Sequence, residues 1–271
     1  MTVSDALGRT VTLAGPPRRI VSLVPSQTEL LAALGLDAET VGLTRFCVHP
    51  EGWTARKTIV GGTKNVRLDR VRDLAPDLIL ANKEENVREQ VEALAAVAPV
   101  YVTDVASVDD AVAMIRAVGA LTGRAAPAAQ LADALDGAFA TLAAEVAAAP
   151  CPRVLYLIWR DPWMSAGSDT IIADVLRRGG FAPLPDAARY PTLSDADLGA
   201  LAPDAVLLSS EPYPFGDAHV AEVEAQAGAP ALLVDGEPFS WYGPGLLRAS
   251  DALRSLRQRL AERPEGARSG G

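Results

Sequence analysis

The chain is poor in the residues that staple or metallate small proteins. Its 271 residues include two cysteines, Cys47 and Cys151, and two histidines. Two cysteines make no disulfide framework, and Cys151 and His219 lie far along the chain from the Cys47–His49 pair, so the spacing of a zinc cluster is missing. Acidic residues outnumber basic ones by 34 to 25, giving a net charge of -9. The basic face that nucleic acid demands is therefore missing, and an acidic surface of this size is ordinary, though it also suits docking onto a basic partner. No run of 18 apolar residues occurs, so no membrane-spanning helix is expected. The opening MTVSDALGRTVTLAGPP has neither a basic n-region nor an apolar h-region, and no secretory signal is expected there. Nucleotide signatures are missing too. The first strong strand runs into Val24-Pro25-Ser26 instead of a GxGxxG turn, and Gly61-Gly62-Thr63-Lys64 lacks phosphate-loop spacing. Aromatics are scarce at 5%, so their placement carries information.

What the chain has is alternation. Strand patterns are expected at 11–13, 19–23, 41, 59–60, 78–81 and 100–102, and again at 154–158, 205–208 and 232–234. Helical patterns fall between them, at 27–34, 68–74, 87–97 and 107–121, then at 170–178, near 194–197, at 218–226 and at 244–262. Ser26 with Glu29, and Ser194 with Asp197, read as helix-capping pairs. This βαβ rhythm implies mostly parallel sheets. Residues 125–150 stand apart as an alanine-rich helix. Leu131, Leu135, Phe139, Leu142 and Val146 recur as one apolar stripe. Pro127 suits its first turn, Pro150 and Pro152 stop it, and its length should be about 33 Å. The flanks resemble each other. Leu74-Ala75-Pro76-Asp77 returns 127 residues later as Leu201-Ala202-Pro203-Asp204, each copy between a short helix and a strand. That favours two lobes over one domain with a crossover helix. The expected fold class is α/β: two Rossmann-like lobes with mostly parallel sheets, residues 1–124 and 151–262, joined by a single long α-helix at 125–150. A disordered tail is expected at 263–271.

Ligands of open parallel sheets bind beyond the carboxyl ends of the strands, and the unusual residues fall there. The first lobe supplies Thr44-Arg45-Phe46-Cys47-Val48-His49, Gly62-Thr63-Lys64 and Lys83-Glu84-Glu85-Asn86. The second supplies Trp159-Arg160-Asp161-Pro162-Trp163, Glu211-Pro212-Tyr213-Pro214-Phe215 and Phe239-Ser240-Trp241-Tyr242. Any one aromatic reads as core. Together, in loops rich in proline and glycine, they suit a cleft for a large, planar, partly apolar ligand. Arg45, Lys83 and Arg160 would orient its polar groups. Cys47 and His49 form a Cys-x-His pair that could hold a soft metal or give an axial ligand to one in a macrocycle. The plainer reading is a buried thiol and a hydrogen-bonded imidazole. Glu84 and Glu85 suit a helix start or acid–base work, but no nucleophile is adjacent.

Three stretches then carry a family likeness. Asp5-x-x-Gly8-Arg9-x-Val11 is followed by Arg18-Arg19-Ile20-Val21-Ser22-Leu23-x-Pro25-Ser26-x-Thr28-Glu29, and then by Ala33-Leu34-Gly35. With the strand entry at 74–79, the chain resembles class III periplasmic binding proteins over residues 3–262. These helical-backbone metal receptors serve ABC importers for vitamin B12, iron-siderophores and haem, and the vitamin B12-binding proteins look closest. The resemblance implies a non-enzymatic, monomeric receptor with no catalytic cofactor, holding a cobalamin-like corrinoid between its lobes, or else a siderophore or haem. It implies ligand contacts from Trp159, Trp163, Trp241 and Tyr242 in the second lobe, and from Phe46 and its loop in the first. Ser26, Arg45, Lys83, Glu84, Glu85, Arg160 and Tyr213 complete the candidate set. It also implies an acidic docking residue for an ABC permease on each lobe. Asp69 fits in the first; in the second the offset lands on Ala196, between Asp195 and Asp197. The Phe-Cys-Val-His-Pro and Lys-Glu-Glu-Asn motifs lie outside the general pattern and mark a branch. By resemblance the location is periplasmic or cell-surface; the missing signal leaves the cytoplasm open. The rivals are a tetrapyrrole chelatase using His49 with Glu84 or Glu85, and a cytoplasmic carrier or sensor of the same fold.

Overall fold

The computed structural model describes residues 1–262; the tail expected at 263–271 lies outside the described residues. The chain divides into two compact units. Unit one comprises Met1–Val105, Asp109–Leu135 and Trp241–Gly245. Unit two comprises Ala106–Val108, Asp136–Ser240 and the stretch from Leu246.

Unit one opens with an antiparallel hairpin of β1 (Thr2–Ser4) and β2 (Thr10–Thr12). The chain continues through β3 (Ile20–Ser22), α1 (Pro25–Ala33), β4 (Thr40–Leu43), α2 (Trp53–Arg56) and β5 (Thr58–Ile59). A small hairpin of β6 (Gly61–Gly62) and β7 (Asn65–Val66) precedes α3 (Leu68–Asp73) and β8 (Leu78–Asn82). Then come α4 (Arg88–Leu94), β9 (Val100–Thr103) and α5 (Val108–Thr122). Five strands pair in the order β5-β4-β3-β8-β9, all parallel. Helices cover the sheet, so its strands read as continuous apolar runs. Val21, Leu23, Ile79, Val91, Leu94 and Val102 form one packed cluster of this core.

Helix α6 (Ala125–Val146) runs for 22 residues. Its first half to Leu135 belongs to unit one and the remainder to unit two. The buried positions are Ala128, Ala132, Leu135, Phe139 and Leu142. Leu131 and Val146, which the apolar stripe includes, are only half-buried. Small residues take over at the first turns because the packing there is close. A Cβ added at Gly119 of α5 would lie 2.2 Å from that of Ala128.

Unit two contains β10 (Arg153–Trp159), β11 (Trp163–Ser165), α7 (Ile171–Arg178), β12 (Ala182–Leu184), β13 (Thr192–Leu193) and α8 (Asp195–Ala200). It continues with β14 (Ala205–Ser209), α9 (Asp217–Ala227), β15 (Ala231–Val234) and α10 (Glu237–Ser240). A 3-10 turn at Pro244–Arg248 leads into α11 (Ala249–Ala261). The sheet order is β13-β11-β10-β14-β15, with β12 also on β10. Strands β10, β12, β14 and β15 are parallel, while β11 and β13 are antiparallel additions. The sequence pattern leaves β11, β12 and β13 as loop, because two or three residues are too few for a period-2 signal. Among the described residues, no helix is long and apolar enough to cross a membrane.

The repeated tetrapeptide builds the same joint in each unit. Ala75 and Ala202 both take left-handed φ, 42° and 46°, a conformation non-glycine residues rarely adopt. Each then turns through proline into an aspartate. Asp77 accepts the backbone N–H groups of Arg18 and Arg19 at 2.8 and 2.9 Å, and Asp204 accepts that of Arg153 at 2.9 Å. In return the Arg19 side chain donates to the Leu74 carbonyl at 2.7 Å. Arg153 donates to the Leu201 and Ala202 carbonyls at 2.8 and 2.9 Å. Reciprocal bonds of this kind hold a strained turn in place, and they fix the register at which β8 and β14 start beside their neighbours.

Candidate functional site

At the carboxyl end of β4, the loop 44–49 is pinned by its cysteine. Cys47 is fully buried. Its Sγ accepts from the Thr28 hydroxyl at 3.0 Å and lies 3.2 Å from that of Thr44. Burial pushes the thiol pKa up, so Cys47 is a neutral thiol at neutral pH. With Cys47 turned inward, its neighbours turn out: Phe46 is 48% exposed and Val48 52%. The Arg45 guanidinium lies over the Phe46 ring, 4.9 Å from its centre. Both rest on Gly62, where a Cβ would come 3.1 Å from Phe46 Cε2 and 3.4 Å from Arg45 Nη2. The His49 ring goes to a different neighbour, packing edge-on to Trp241 at 5.2 Å. Among the described residues, no group of three or more His, Cys, Asp or Glu is placed to hold a metal ion.

Two buried asparagines shape the Lys83–Asn86 turn after β8. Asn82 Oδ1 accepts the N–H groups of Glu84 and Glu85 at 2.8 and 3.0 Å. Asn86 Oδ1 accepts the N–H of Asn82 at 2.8 Å, and its amide donates to the Thr63 carbonyl at 3.0 Å. Lys83 is paired with Asp104 from the end of β9 at 2.6 Å. Glu85 Oε1 accepts the Tyr242 hydroxyl at 2.7 Å.

That last bond belongs to a segment the order of the sequence assigns to the second lobe. Trp241–Gly245 is part of unit one, and Trp241 and Tyr242 are both buried. Ser26 Oγ accepts the Tyr242 N–H at 3.2 Å, and Glu29 Oε2 accepts the Gly245 N–H at 3.1 Å. The approach is tight enough to require glycine at 243, where a Cβ would lie 2.9 Å from the Ser26 carbonyl. The capping pair expected from Ser26 and Glu29 therefore does not form. Helix α1 starts earlier, with Val24 as N-cap, Pro25 in its first turn and no side-chain cap. The two polar side chains serve the later segment instead.

In unit two, Trp159 ends β10 with 40% of its surface exposed, and its ring meets the edge of Tyr213 at 5.7 Å. Tyr213 packs on Phe215 at 4.7 Å, and its hydroxyl lies 3.2 Å from His219 Nε2. The Gly216 N–H donates to His219 Nδ1 at 3.0 Å, which leaves Nε2 to donate to the phenol oxygen. Trp163 behaves differently. It is buried, stacks on Phe215 at 6.3 Å, and donates its indole N–H to Asp195 at 2.7 Å. The expectation from sequence is that Trp163 faces a ligand; pairing of β11 on β10 instead places its side chain among the buried residues of unit two. Arg160 is likewise engaged. It forks onto the two carboxylate oxygens of Glu222 on α9, at 3.1 and 2.5 Å, and lies over the Trp163 ring.

The three acidic residues named for docking sit in first turns of helices. Asp69, on α3, is exposed, and the Arg70 backbone N–H holds its carboxyl below the ordinary range. Asp195, on α8, takes the Trp163 indole. Asp197 closes the expected capping box with Ser194, and the Ser194 hydroxyl lowers its pKa. Val48 and Gly62 lie in loops named from the sequence but outside the candidate contact set. The inward–outward alternation of Phe46, Cys47 and Val48 was the available signal for the first.

A family model described as periplasmic binding protein matches residues 20–234. An uncharacterized ABC transporter substrate-binding lipoprotein of Bacillus subtilis (strain 168) is 33% identical over 136 residues, covering 48% of this chain and 42% of that protein. A vitamin B12-binding protein of Pectobacterium carotovorum subsp. carotovorum (strain PC1) is 24% identical over 249 residues, 88% of each chain. Among solved structures, the periplasmic vitamin B12 binding protein of Vibrio cholerae superposes with a TM-score of 0.78 at 19% identity, covering 92% of this chain and 99% of the other. At that identity the match is one of fold.

Proposed function

This chain belongs to the periplasmic binding protein family, and on that premise we propose that it is the substrate-binding protein of an ABC-type importer, taking a corrinoid or a related metal chelate. The observation that carries the ligand class is where apolar surface is left open. Six large apolar side chains are exposed among the described residues: Met1, Leu7, Phe46, Val48, Trp159 and Leu247. Three of them, Phe46, Val48 and Trp159, stand at the carboxyl ends of parallel strands. Flat or branched apolar groups beside a few polar ones suit the face of a large planar chelate. The sequence relatives named for vitamin B12 support a corrinoid over a siderophore. The receptor acts at the periplasmic or cell-surface side with a permease as partner, and Asp69, Asp195 and Asp197 are the docking residues we assign to it. It is a receptor and not a catalyst, because the family role is binding.

Titration of the full chain with cyanocobalamin, haem and a ferric siderophore, read by quenching of tryptophan fluorescence, tests the reading. Saturable quenching by cyanocobalamin is expected. Saturation by haem or the siderophore alone would replace the corrinoid but keep the receptor, and no saturable response to any of the three would refute it.

A further inference from the structure

We propose that Arg45 reads an anionic oxygen group on the rim of the bound chelate, so that the ligand is a macrocycle carrying a carboxylate or a phosphate. This rests on the receptor reading above and narrows its ligand class. Four cations stand on the candidate loops, and they are committed differently. The Lys64 ammonium donates to the Glu84 carbonyl at 2.6 Å. Lys83 is neutralised by Asp104 at 2.6 Å. Arg160 is neutralised by Glu222 and Asp161, both at 2.5 Å. Arg45 has no carboxylate partner among the described residues; its guanidinium lies over the Phe46 ring. In a chain with a net charge of -9, a guanidinium left without an acid at such a loop is an open anion contact.

The loop also presents Arg45 in a usable form. An aromatic ring beneath a guanidinium occupies its face and leaves the in-plane N–H donors open. Those donors match a carboxylate or phosphate edge two at a time. The position is fixed from below by bare backbone at Gly62 and from the side by buried Cys47. Less ordering is then needed when the ligand arrives. Phe46 and Val48, exposed on the same loop, take the apolar face of the macrocycle while Arg45 takes its charged rim. One anionic chemistry has two sources here: the propionate carboxylates of a porphyrin, or the nucleotide-loop phosphate of a complete corrinoid.

Matched pairs of ligands test this with the full chain. Cyanocobalamin is compared with dicyanocobinamide, which lacks the phosphate, and haem with its dimethyl ester, which lacks the free carboxylates. Arg45→Gln should weaken binding of the anionic member about tenfold or more, the value of a hydrogen bond to a charged group. The neutral member should change less than about twofold. Arg45→Lys should recover part of the loss, since it restores charge without the fork. The pair that shows the split identifies the source. Arg45 is exposed, so thermal unfolding of both variants should coincide with the wild type. Equal losses for both members, or no loss for the anionic one, overturn the assignment of Arg45 and leave the receptor reading standing. A wild-type protein that binds neither pair overturns the assignment of Arg45, and one that also fails to bind the ferric siderophore overturns the receptor reading with it.

Discussion

Tyr242→Phe removes one oxygen and tests how the 241–245 segment is held. The phenol donates to Glu85 at 2.7 Å, and a hydrogen bond to a charged group is worth about 1.5–3 kcal/mol. Glu85 is only half-buried, so water replaces part of the loss and about 1.5 kcal/mol is expected. Ser26→Ala removes the hydroxyl that accepts the buried Tyr242 N–H at 3.2 Å, for about 1 kcal/mol. Both bonds restrain the same residue. Once one is gone the segment is already loosened, and the second is worth less. The double variant should therefore fall short of the sum by about 0.5–1 kcal/mol. Urea unfolding followed by far-ultraviolet circular dichroism gives the four midpoints, with unchanged slopes as the check that one transition is compared. Strict additivity, or a Tyr242→Phe protein as stable as wild type, would refute the view that these bonds act together on one segment.

Iodoacetamide should label exposed Cys151 in the native protein and reach Cys47 only in denaturant, because the buried thiol stays protonated; equal native rates, read by peptide mass spectrometry, would remove the pin from the ligand loop. Trp159→Ala should weaken ligand binding about tenfold with little change in stability. Trp163→Phe should do the reverse, losing about 1–3 kcal/mol with its bond to Asp195, and calorimetry of binding and unfolding separates the two. For Asp197 the folded carboxyl lies below its ordinary value, so its contribution is full above that value and is lost as pH falls through the folded one. The stability gap between wild type and Asp197→Asn should thus narrow from about pH 5 to about pH 3; a gap that stays constant with pH would sink this linkage.

Much of the fold was legible because its signals are local. The helix–Leu-Ala-Pro-Asp–strand unit announces itself twice, and Ser194 with Asp197 closes the box its spacing suggests. What was not legible depends on distant partners. Ser26 and Glu29 have the composition of a cap, yet they bond residues more than 200 positions later in the chain. Nothing within one helical turn distinguishes those outcomes. Trp159 and Trp163 look equivalent four residues apart, and only the pairing of a three-residue strand sends one outward and the other into the core. Lys83, Arg45 and Arg160 read alike as loop cations. Their difference lies in Asp104 and Glu222, acids supplied by the end of another strand and by a helix.

Unit one is discontinuous, and that bears on how the molecule is made. Its first two stretches end at Leu135, and its last piece begins at Trp241. At about 5–20 residues per second of synthesis, the two are separated by roughly 5–20 seconds on the ribosome. Throughout that interval Ser26, Glu29 and Glu85 have no Trp241–Gly245 segment to hold. Vectorial folding of the amino-terminal half can therefore assemble the five-stranded sheet but cannot finish the unit. A nascent or prematurely terminated chain lacks one wall of its own first half, so an excised amino-terminal fragment is a poor surrogate for the unit in the whole protein.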